Sequence, residues 1–214
     1  MILGLDTATA STAVGLWAAD GPEIERRDDP PLGARPAHAG RLLLLVEEVL
    51  AAAETDWDAV ARIAVGVGPG SFTGLRLGIA TARGLAQARD LPLVGVSSLA
   101  ALAVGADLAV IDARRGEVFA AAPGVFGPVA LKPEELADRI RSGWVTVGDG
   151  AVRFREPLER AGAVIPADDA PQHRVSALQI CRLGAEGQPA DRDALLPDYR
   201  REPDAKPQRK AFPS

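Results

Sequence analysis

The chain has 214 residues, of which 47% are hydrophobic and 25% are charged, and its formal net charge is −5 at pH 7. This composition is typical of a globular protein with a substantial core, and the acidic balance argues against a chain that grips a polyanion alone. One cysteine, Cys181, excludes an internal disulfide, and no uncharged stretch is long enough to span a bilayer. We therefore expect a cytoplasmic protein without a membrane segment.

The first half of the chain predicts an alternation of strands and helices. Apolar runs bounded by turn residues indicate strands at 2–5, 13–17, 23–27, 63–67 and 93–96. Helical patterns lie at 38–54 and 72–89, and Ser97 or Ser98 begins a short helix that ends near Gly105.

The same kind of pattern restarts at Asp107. Further strands are predicted at 108–111, 117–121, 129–131 and 144–147, and further helices at 133–141 and 176–183. Each half opens on a strand, an acidic turn and a second strand, with Asp6 in the first turn and Asp112 in the second. We predict two related α/β halves, 1–106 and 107–214, the second ending in a mobile tail of prolines and mixed charges.

A glycine-rich run joins the fourth predicted strand to the helix at 72–89. A strand, a glycine turn and a helix in this order often present backbone N–H groups to a phosphate. The run lacks the lysine of a Walker A loop, and Gly70 and Gly74 are one residue too far apart for the dinucleotide fingerprint. Pro69 and Gly70 suit a type II turn. A structural turn and a phosphate loop therefore both stay open, and the turn is favoured.

Side chains typical of catalysis are sparse. The two histidines, His38 and His173, have no partner at helix-face spacing, so no metal site is predicted. We expect His38 to be solvated or to cap its helix, and His173 to lie in a loop. Ser71 does not occur in the Gly-x-Ser-x-Gly pattern of a nucleophile elbow, and nothing specific indicates a Ser-His-Asp triad.

The two long helices are more apolar than surface helices of a monomer need to be. In the helix at 72–89 one polar stripe, Arg76, Arg83 and Gln87, separates two apolar faces, and small residues form a seam. A second apolar face favours a protein partner, with both helices packed inside the domain as the open alternative. The predicted interface residues are Leu42, Leu45, Gly74, Leu77, Gly78, Thr81, Ala82 and Leu85.

Several short motifs of the chain resemble one protein family. They lie at 3–9, 68–76, 92–99 and 111–114, with shorter matches at 148–150 and 196–200. The block Gly-Pro-Gly-Ser-Phe-Thr-Gly, which starts at Gly68, is the most specific of them. Together these motifs resemble the TsaB family, also called YeaZ, of bacterial subunits of the tRNA threonylcarbamoyladenosine machinery. The resemblance is strongest in the first half of the chain.

The resemblance implies an α/β fold of the actin-like ATPase superfamily, with two RNase-H-like subdomains whose mixed sheets are flanked by helices. It implies a non-catalytic scaffold or activator that pairs with the catalytic subunit TsaD and works with the ATPase TsaE. It also implies that tRNA is contacted only through the complex, and that the chain alone forms a homodimer through the helix face described above.

The match to the catalytic relative fails at its metal site. TsaD-like chains read Asn-His-x-Glu-x-His where this chain has residues 97–102, so Ser98 and Leu102 replace both histidines. A leucine cannot ligate a metal. We therefore expect no catalytic residue, no metal and no transferase activity of the chain by itself.

Nucleotide binding is the question that the sequence leaves open. Actin-like ATPases place acidic groups near a Mg-nucleotide at the positions of Asp6 and Asp112, so Asp6, Thr7 and Asp112 are the candidate contacts. The alternative is that each aspartate only caps its own turn. We expect no tightly bound cofactor, with ATP or ADP and Mg²⁺ at an interface of the complex as the remaining option. A stand-alone ATP-dependent phosphotransferase and, less favoured, a peptidase are the enzyme alternatives.

Overall fold

The computed structural model describes residues 1–31 and 34–200. The predicted tail follows the helix at 176–183, and its part beyond residue 200 lies outside the described residues. Within them, the strands are β1 (Ile2–Asp6), β2 (Thr12–Trp17), β3 (Glu23–Asp28), β4 (Arg62–Gly68), β5 (Leu93–Ser97), β6 (Leu108–Arg114), β7 (Glu117–Ala122), β8 (Phe126–Leu131) and β9 (Thr146–Val147).

The α-helices alternate with these strands. They are α1 (His38–Ala52), α2 (Phe72–Arg89), α3 (Ser98–Leu102), α4 (Pro133–Ala137), α5 (Asp149–Arg153), α6 (Arg155–Arg160) and α7 (Ala177–Glu186). The sequence prediction lacks α5 and α6, because helices of five and six residues are too short to show a helical period. None of the helices in the described part combines the length and apolar character needed to cross a membrane.

The first sheet has the strand order β3-β2-β1-β4-β5. β1, β2 and β3 form an antiparallel meander, and β4 and β5 run parallel to β1. β4 is apolar along most of its length because both faces of the sheet are covered there. Alternation along β1 places Leu3 and Leu5 on the face that α1 and α2 cover, and Gly4 on the face that α7 covers.

The second sheet repeats this plan with the strand order β8-β7-β6-β9. β6, β7 and β8 are antiparallel neighbours, and β9 is parallel to β6. Helix α5 lies against β6, while α4 and α6 pack on each other next to β7. The predicted fold class, two mixed sheets flanked by helices, is confirmed.

Helix α7 follows the second sheet in the chain but packs on the first. A Cβ atom on Gly4 would lie 2.5 Å from the carbonyl oxygen of Ala177, so the helix touches the backbone of β1. The Cys181 thiol donates to the carbonyl oxygens of Ile2 and Gly15, at 3.4 and 3.5 Å. The division of the chain into two halves stays a prediction, to which the structure adds this crossing helix.

The glycine-rich turn after β4 is not the type II turn predicted from the sequence. The peptide bond between Gly68 and Pro69 is cis, and the positive φ of 103° occurs at Gly68, not at Gly70. Gly70 is required for a close approach instead, because a Cβ atom there would overlap the carbonyl oxygen of Ala8. The turn is therefore shaped by its packing against the β1–β2 loop.

Candidate functional site

A cleft of about 560 Å³ lies between the glycine-rich turn of the first sheet and the second sheet. Residues 70–73 at the start of α2 line one wall, and Asp112 and Asp149 from the second half line the other. Tyr199, near the end of the described chain, closes one side. These are the groups that a ligand in the cleft would contact.

Asp6 does not reach the cleft. The residue is only 1% exposed, and its carboxylate accepts hydrogen bonds from Ala8 N at 2.9 Å and from Ser98 Oγ at 2.6 Å. Ser98 Oγ accepts in turn from Gly68 N at 3.3 Å, which ties the carboxylate to the glycine-rich turn. Burial raises the pKa of Asp6, and the two hydrogen bonds act against this rise. The Asp6 carboxylate thus holds the start of the β1–β2 loop and Ser98 together inside the fold.

Ser98→Ala is expected to destabilise the fold by about 2 kcal/mol, because it leaves a buried carboxylate oxygen and the Gly68 N–H without their partner. Urea unfolding followed by circular dichroism measures the change. Ser142→Ala is the control, since Ser142 is exposed and its loss is expected to change stability by less than about 0.5 kcal/mol. Equal stability of the two variants would contradict the buried role of Ser98.

Thr7 is also enclosed by its own chain. The residue is fully buried, and its hydroxyl donates to the Gly74 carbonyl oxygen at 2.8 Å. Asp6 and Thr7 therefore do not line the cleft, because both side chains are buried in contacts that hold the β1–β2 loop in place. For these two residues the structure agrees with the alternative, a role in the turn itself.

Asp112 lines the cleft, but its carboxylate is already paired. One oxygen lies 2.9 Å from a guanidinium nitrogen of Arg153 and 3.2 Å from one of Arg114, and the side chain is 5% exposed. The backbone N–H of Asp112 donates to Asp149 Oδ1 at 3.0 Å, and burial raises the pKa of Asp149 to about 6. Because the other Asp112 carboxylate oxygen accepts from Arg114 N at 2.9 Å, Asp112 as placed here has no unpaired oxygen to offer Mg²⁺ and does not fit a Mg-nucleotide.

Both histidine side chains are buried and make hydrogen bonds within the chain. The prediction that His38 is solvated or caps its helix is wrong: the residue is 6% exposed, and no side chain of the described residues caps the start of α1. Its Nδ1 lies 2.8 Å from Thr12 Oγ1, and burial lowers its pKa. His173 is buried as well, and its Nδ1 accepts from Gly148 N at 3.1 Å. In the part of the chain that the structure describes, no group of three or more His, Cys, Asp or Glu side chains suits a metal ion.

The structure divides the interface predicted on α1 and α2. Three of its residues are partly exposed: Leu77, Thr81 and Leu85. The other five are buried within this chain: Leu42, Leu45, Gly74, Gly78 and Ala82. Buried side chains offer no surface to a partner, so the prediction is corrected at these five positions.

The glycine seam of α2 serves a contact inside the chain. A Cβ atom on Gly74 would overlap the carbonyl oxygen of Thr7, and one on Gly78 would overlap its hydroxyl oxygen. The glycines therefore let α2 approach the β1–β2 loop, not a helix of another protein. For this face of α2, packing inside the domain is the correct alternative.

A different face of the two helices is exposed. Within residues 1–31 and 34–200, a Cβ atom on Gly84 would meet no other atom within 4 Å, and the small residues one turn before and after it are exposed as well. On α1, Leu43 and Leu44 are 52% and 47% exposed. We call this surface the outer face, and its residues are Leu43, Leu44, Leu77, Ala80, Gly84 and Ala88.

Comparison with known proteins identifies the family. The chain is 35% identical to the tRNA threonylcarbamoyladenosine biosynthesis protein TsaB of Escherichia coli strain K12, and the match covers 94% of each chain. The chain belongs to the TsaB family. The protein of the same name from Bacillus subtilis strain 168 is 29% identical, over 77% of this chain and 80% of its own.

Solved structures extend the TsaB comparison to three dimensions. YeaZ from Pseudomonas aeruginosa superposes with a TM-score of 0.74 at 30% identity, covering 92% of this chain and 98% of its own. The ethanolamine utilization protein EutJ from Carboxydothermus hydrogenoformans has a TM-score of 0.50 at 15% identity, a likeness of fold alone. A family model described as TsaD, tRNA N6-adenosine threonylcarbamoyltransferase, matches residues 30–134, which include α1 and α2.

The polar stripe on α2 of this TsaB-family chain is contacted by residues 188–200, which we call the strap. Arg76 Nε donates to the Tyr199 hydroxyl at 2.8 Å, near the start of α2. Near its end, the Gln87 side chain accepts from Arg192 at 3.2 Å. The polar stripe of α2 thus contacts the strap within the same chain, and no sequence pattern indicates this contact.

Proposed function

We propose that this chain is a non-catalytic scaffold or activator subunit in the biosynthesis of threonylcarbamoyladenosine, the modified adenosine next to the tRNA anticodon. In this role it pairs with a TsaD-type catalytic subunit through the outer face. The observation that carries the proposal is this face itself, where apolar and small side chains are exposed on two adjacent helices. The names of the TsaB relatives support the biosynthetic role.

The contacts around the cleft favour a non-catalytic role. Asp6 is bonded to Ser98, and Asp112 is paired with two arginines, so neither carboxylate is free to hold a metal or to transfer a proton. Ser98 and Leu102 stand where the motif of the catalytic relative has two histidines. No observation favours the stand-alone phosphotransferase or the peptidase as a second candidate.

The outer face suits a helical partner. Ala80, Gly84 and Ala88 repeat every four residues, so they form a shallow groove along α2 into which the ridge of another helix can pack. The region matched by the TsaD family model contains both helices, so a TsaD-type subunit would offer an equivalent pair of helices. The same face can pair with a second copy of the chain around a two-fold axis, which accounts for a homodimer of the isolated protein.

The remaining partners follow from the same assignment. A TsaE-type ATPase completes the complex, and its ATP or ADP with Mg²⁺ binds at an interface to which the partner subunits contribute the metal ligands. The net charge of −5 supports tRNA contact through the complex and not through this chain alone. These steps belong to the cytoplasm, where the chain is expected to act.

Reconstitution tests the proposed function. The purified chain, a TsaD-type subunit and a TsaE-type ATPase are mixed with unmodified tRNA and a threonylcarbamoyl donor, and digested tRNA is analysed by mass spectrometry. We expect the modified nucleoside from the complete mixture, little without this chain, and none from this chain alone. Product formed by the chain alone, or undiminished product without it, would contradict the proposal.

Ala80→Arg is expected to weaken pairing with the TsaD-type subunit about a hundredfold, because it places an unpaired charge in the middle of an apolar interface. Isothermal titration calorimetry measures the affinity. The control is Val125→Arg, an equally drastic change at a side chain that is 48% exposed on the β7–β8 hairpin, outside the outer face. If both variants bind like the unmodified chain, the outer face is not the pairing surface.

A further inference from the structure

The strap is fixed to the first turn of α2, where the rings of Phe72 and Tyr199 stack with their centroids 5.0 Å apart. The Arg76 guanidinium lies 4.0 Å from the centroid of the Phe72 ring and donates to the Tyr199 hydroxyl. Toward the end of the helix, Arg83 donates to the carbonyl oxygen of Arg192. The strap therefore follows the whole length of α2.

The strap is itself anchored to the first sheet. Ala190 N donates to the Leu93 carbonyl at 2.9 Å, on the outer edge of β5, and Asp198 N donates to the Val67 carbonyl at 2.8 Å. Between these anchors, Leu195 packs so closely on Gly95 that a Cβ atom there would lie 2.6 Å from a Leu195 methyl group. Tyr199 is consequently presented to α2 by a segment with fixed ends.

The part of the outer face that lies on α2 is held from two sides. Helix α1 packs against α2 on one side, and the strap contacts Arg76 and Gln87 on the other. At 100° per residue these two contacts and Arg83 fall on one edge of the helix, about a quarter turn from the small residues of the outer face. A side chain on that edge can restrain the helix without standing in the way of a partner.

We propose that the strap positions α2 for pairing, with Tyr199 as the key positioning residue. This inference rests on the proposed function, because it makes the strap responsible for holding the outer face in position for the partner. Without the Tyr199 ring, the first turns of α2 lose their restraint opposite α1, and a smaller fraction of molecules presents the outer face in the binding-competent arrangement. Apparent affinity falls in proportion to that fraction.

Tyr199→Ala tests the role of the strap, and Tyr199→Phe is the conservative variant, which keeps the stacked ring and loses only the hydroxyl. The matched control is Phe126→Ala. Phe126 is also an aromatic residue beneath an arginine, with Arg139 at 5.7 Å from its ring centroid, but it lies on β8 in the second half. Two readouts are taken for each protein: amide hydrogen exchange of the first two turns of α2, and affinity for the TsaD-type subunit.

We expect Tyr199→Ala to exchange about tenfold faster in these turns and to bind about fivefold more weakly, with Tyr199→Phe recovering most of both effects. Phe126→Ala should leave both readouts unchanged, although its overall stability falls. Unchanged α2 exchange or unchanged affinity in Tyr199→Ala would overturn the inference, as would equal effects from Phe126→Ala. If the unmodified chain does not bind the TsaD-type subunit, the proposed function fails first and the inference fails with it.

Discussion

Gly78→Arg is expected to prevent stable folding of the chain, and not only its pairing. Gly78 faces Thr7 from inside α2, where even a Cβ atom would overlap the threonine hydroxyl. An arginine at this position must displace the β1–β2 loop and bury an unpaired charge, at a cost of about 4 kcal/mol or more. Such a loss is a large part of the stability of a typical domain. Urea unfolding and circular dichroism of the purified variant measure it.

Gly84→Arg provides the matched control in the same helix. A Cβ atom at Gly84 has no neighbour within 4 Å in the described part of the chain, so the arginine is expected to extend into solvent. Arginine is also the better helix former, and stability should stay the same or rise by less than about 1 kcal/mol. A similar loss of stability in both variants would contradict the orientation of α2 described above.

Asp149 is expected to make the protein less stable at pH 7 than at pH 4. Burial raises the pKa of this carboxyl from its ordinary value of 3.8 to about 6. Because the folded chain holds the proton more tightly than the unfolded chain, the stabilising contribution is complete at low pH and is lost as the pH rises through 6. The ionised carboxylate then costs up to about 3 kcal/mol at pH 7.

Asp149→Asn isolates this contribution. The asparagine oxygen can still accept from Asp112 N, but the side chain does not ionise. Urea titrations at several pH values should give equal free energies of unfolding near pH 4 and a variant that is about 2–3 kcal/mol more stable at pH 7. The buried Asp6 titrates in both proteins, so its effect cancels in the difference. A difference that does not change with pH would contradict the shifted pKa.

Most of the secondary structure and the fold class can be predicted from local sequence patterns. Helix α2 begins and ends where the sequence predicts, since Ser71 caps its first turn by accepting from Gly74 N, and Asp90 ends it in a left-handed conformation. The strands of both meanders were predicted to within a few residues, because apolar runs bounded by glycine and polar turns are strong signals. The repeated opening of the two halves was enough to anticipate two sheets of similar plan.

The orientation of α2 was beyond such patterns. Its two apolar faces look alike in the sequence. Which face is buried depends on packing against Thr7, which lies 67 residues away from its hydrogen-bond partner Gly74. Glycines that suit a partner helix suit a close loop equally well. The exposed stripe through Gly84 has the same spacing of small residues, and among the described residues nothing packs opposite Gly84.

The contacts that shape the cleft join distant parts of the chain as well. Asp6 and Ser98 are 92 residues apart, and Asp112 and Arg153 are 41 apart. A sequence motif can place an aspartate after a strand, as it did for Asp6 and Asp112, but it does not reveal which side chain will neutralise it. Tyr199, which lies 123 residues from Arg76, escaped prediction for the same reason.

The crossing of α7 onto the first sheet has a consequence during synthesis on the ribosome. The strands β1 and β2 are made first, yet the face that carries Gly4 and Gly15 is covered by Ala177–Glu186, which is made much later. A nascent chain therefore carries an open sheet face through most of translation, a state that invites chaperones or aggregation. Helix α7 completes the first sheet, so the part of the protein that is made first is finished only after the second sheet has been made.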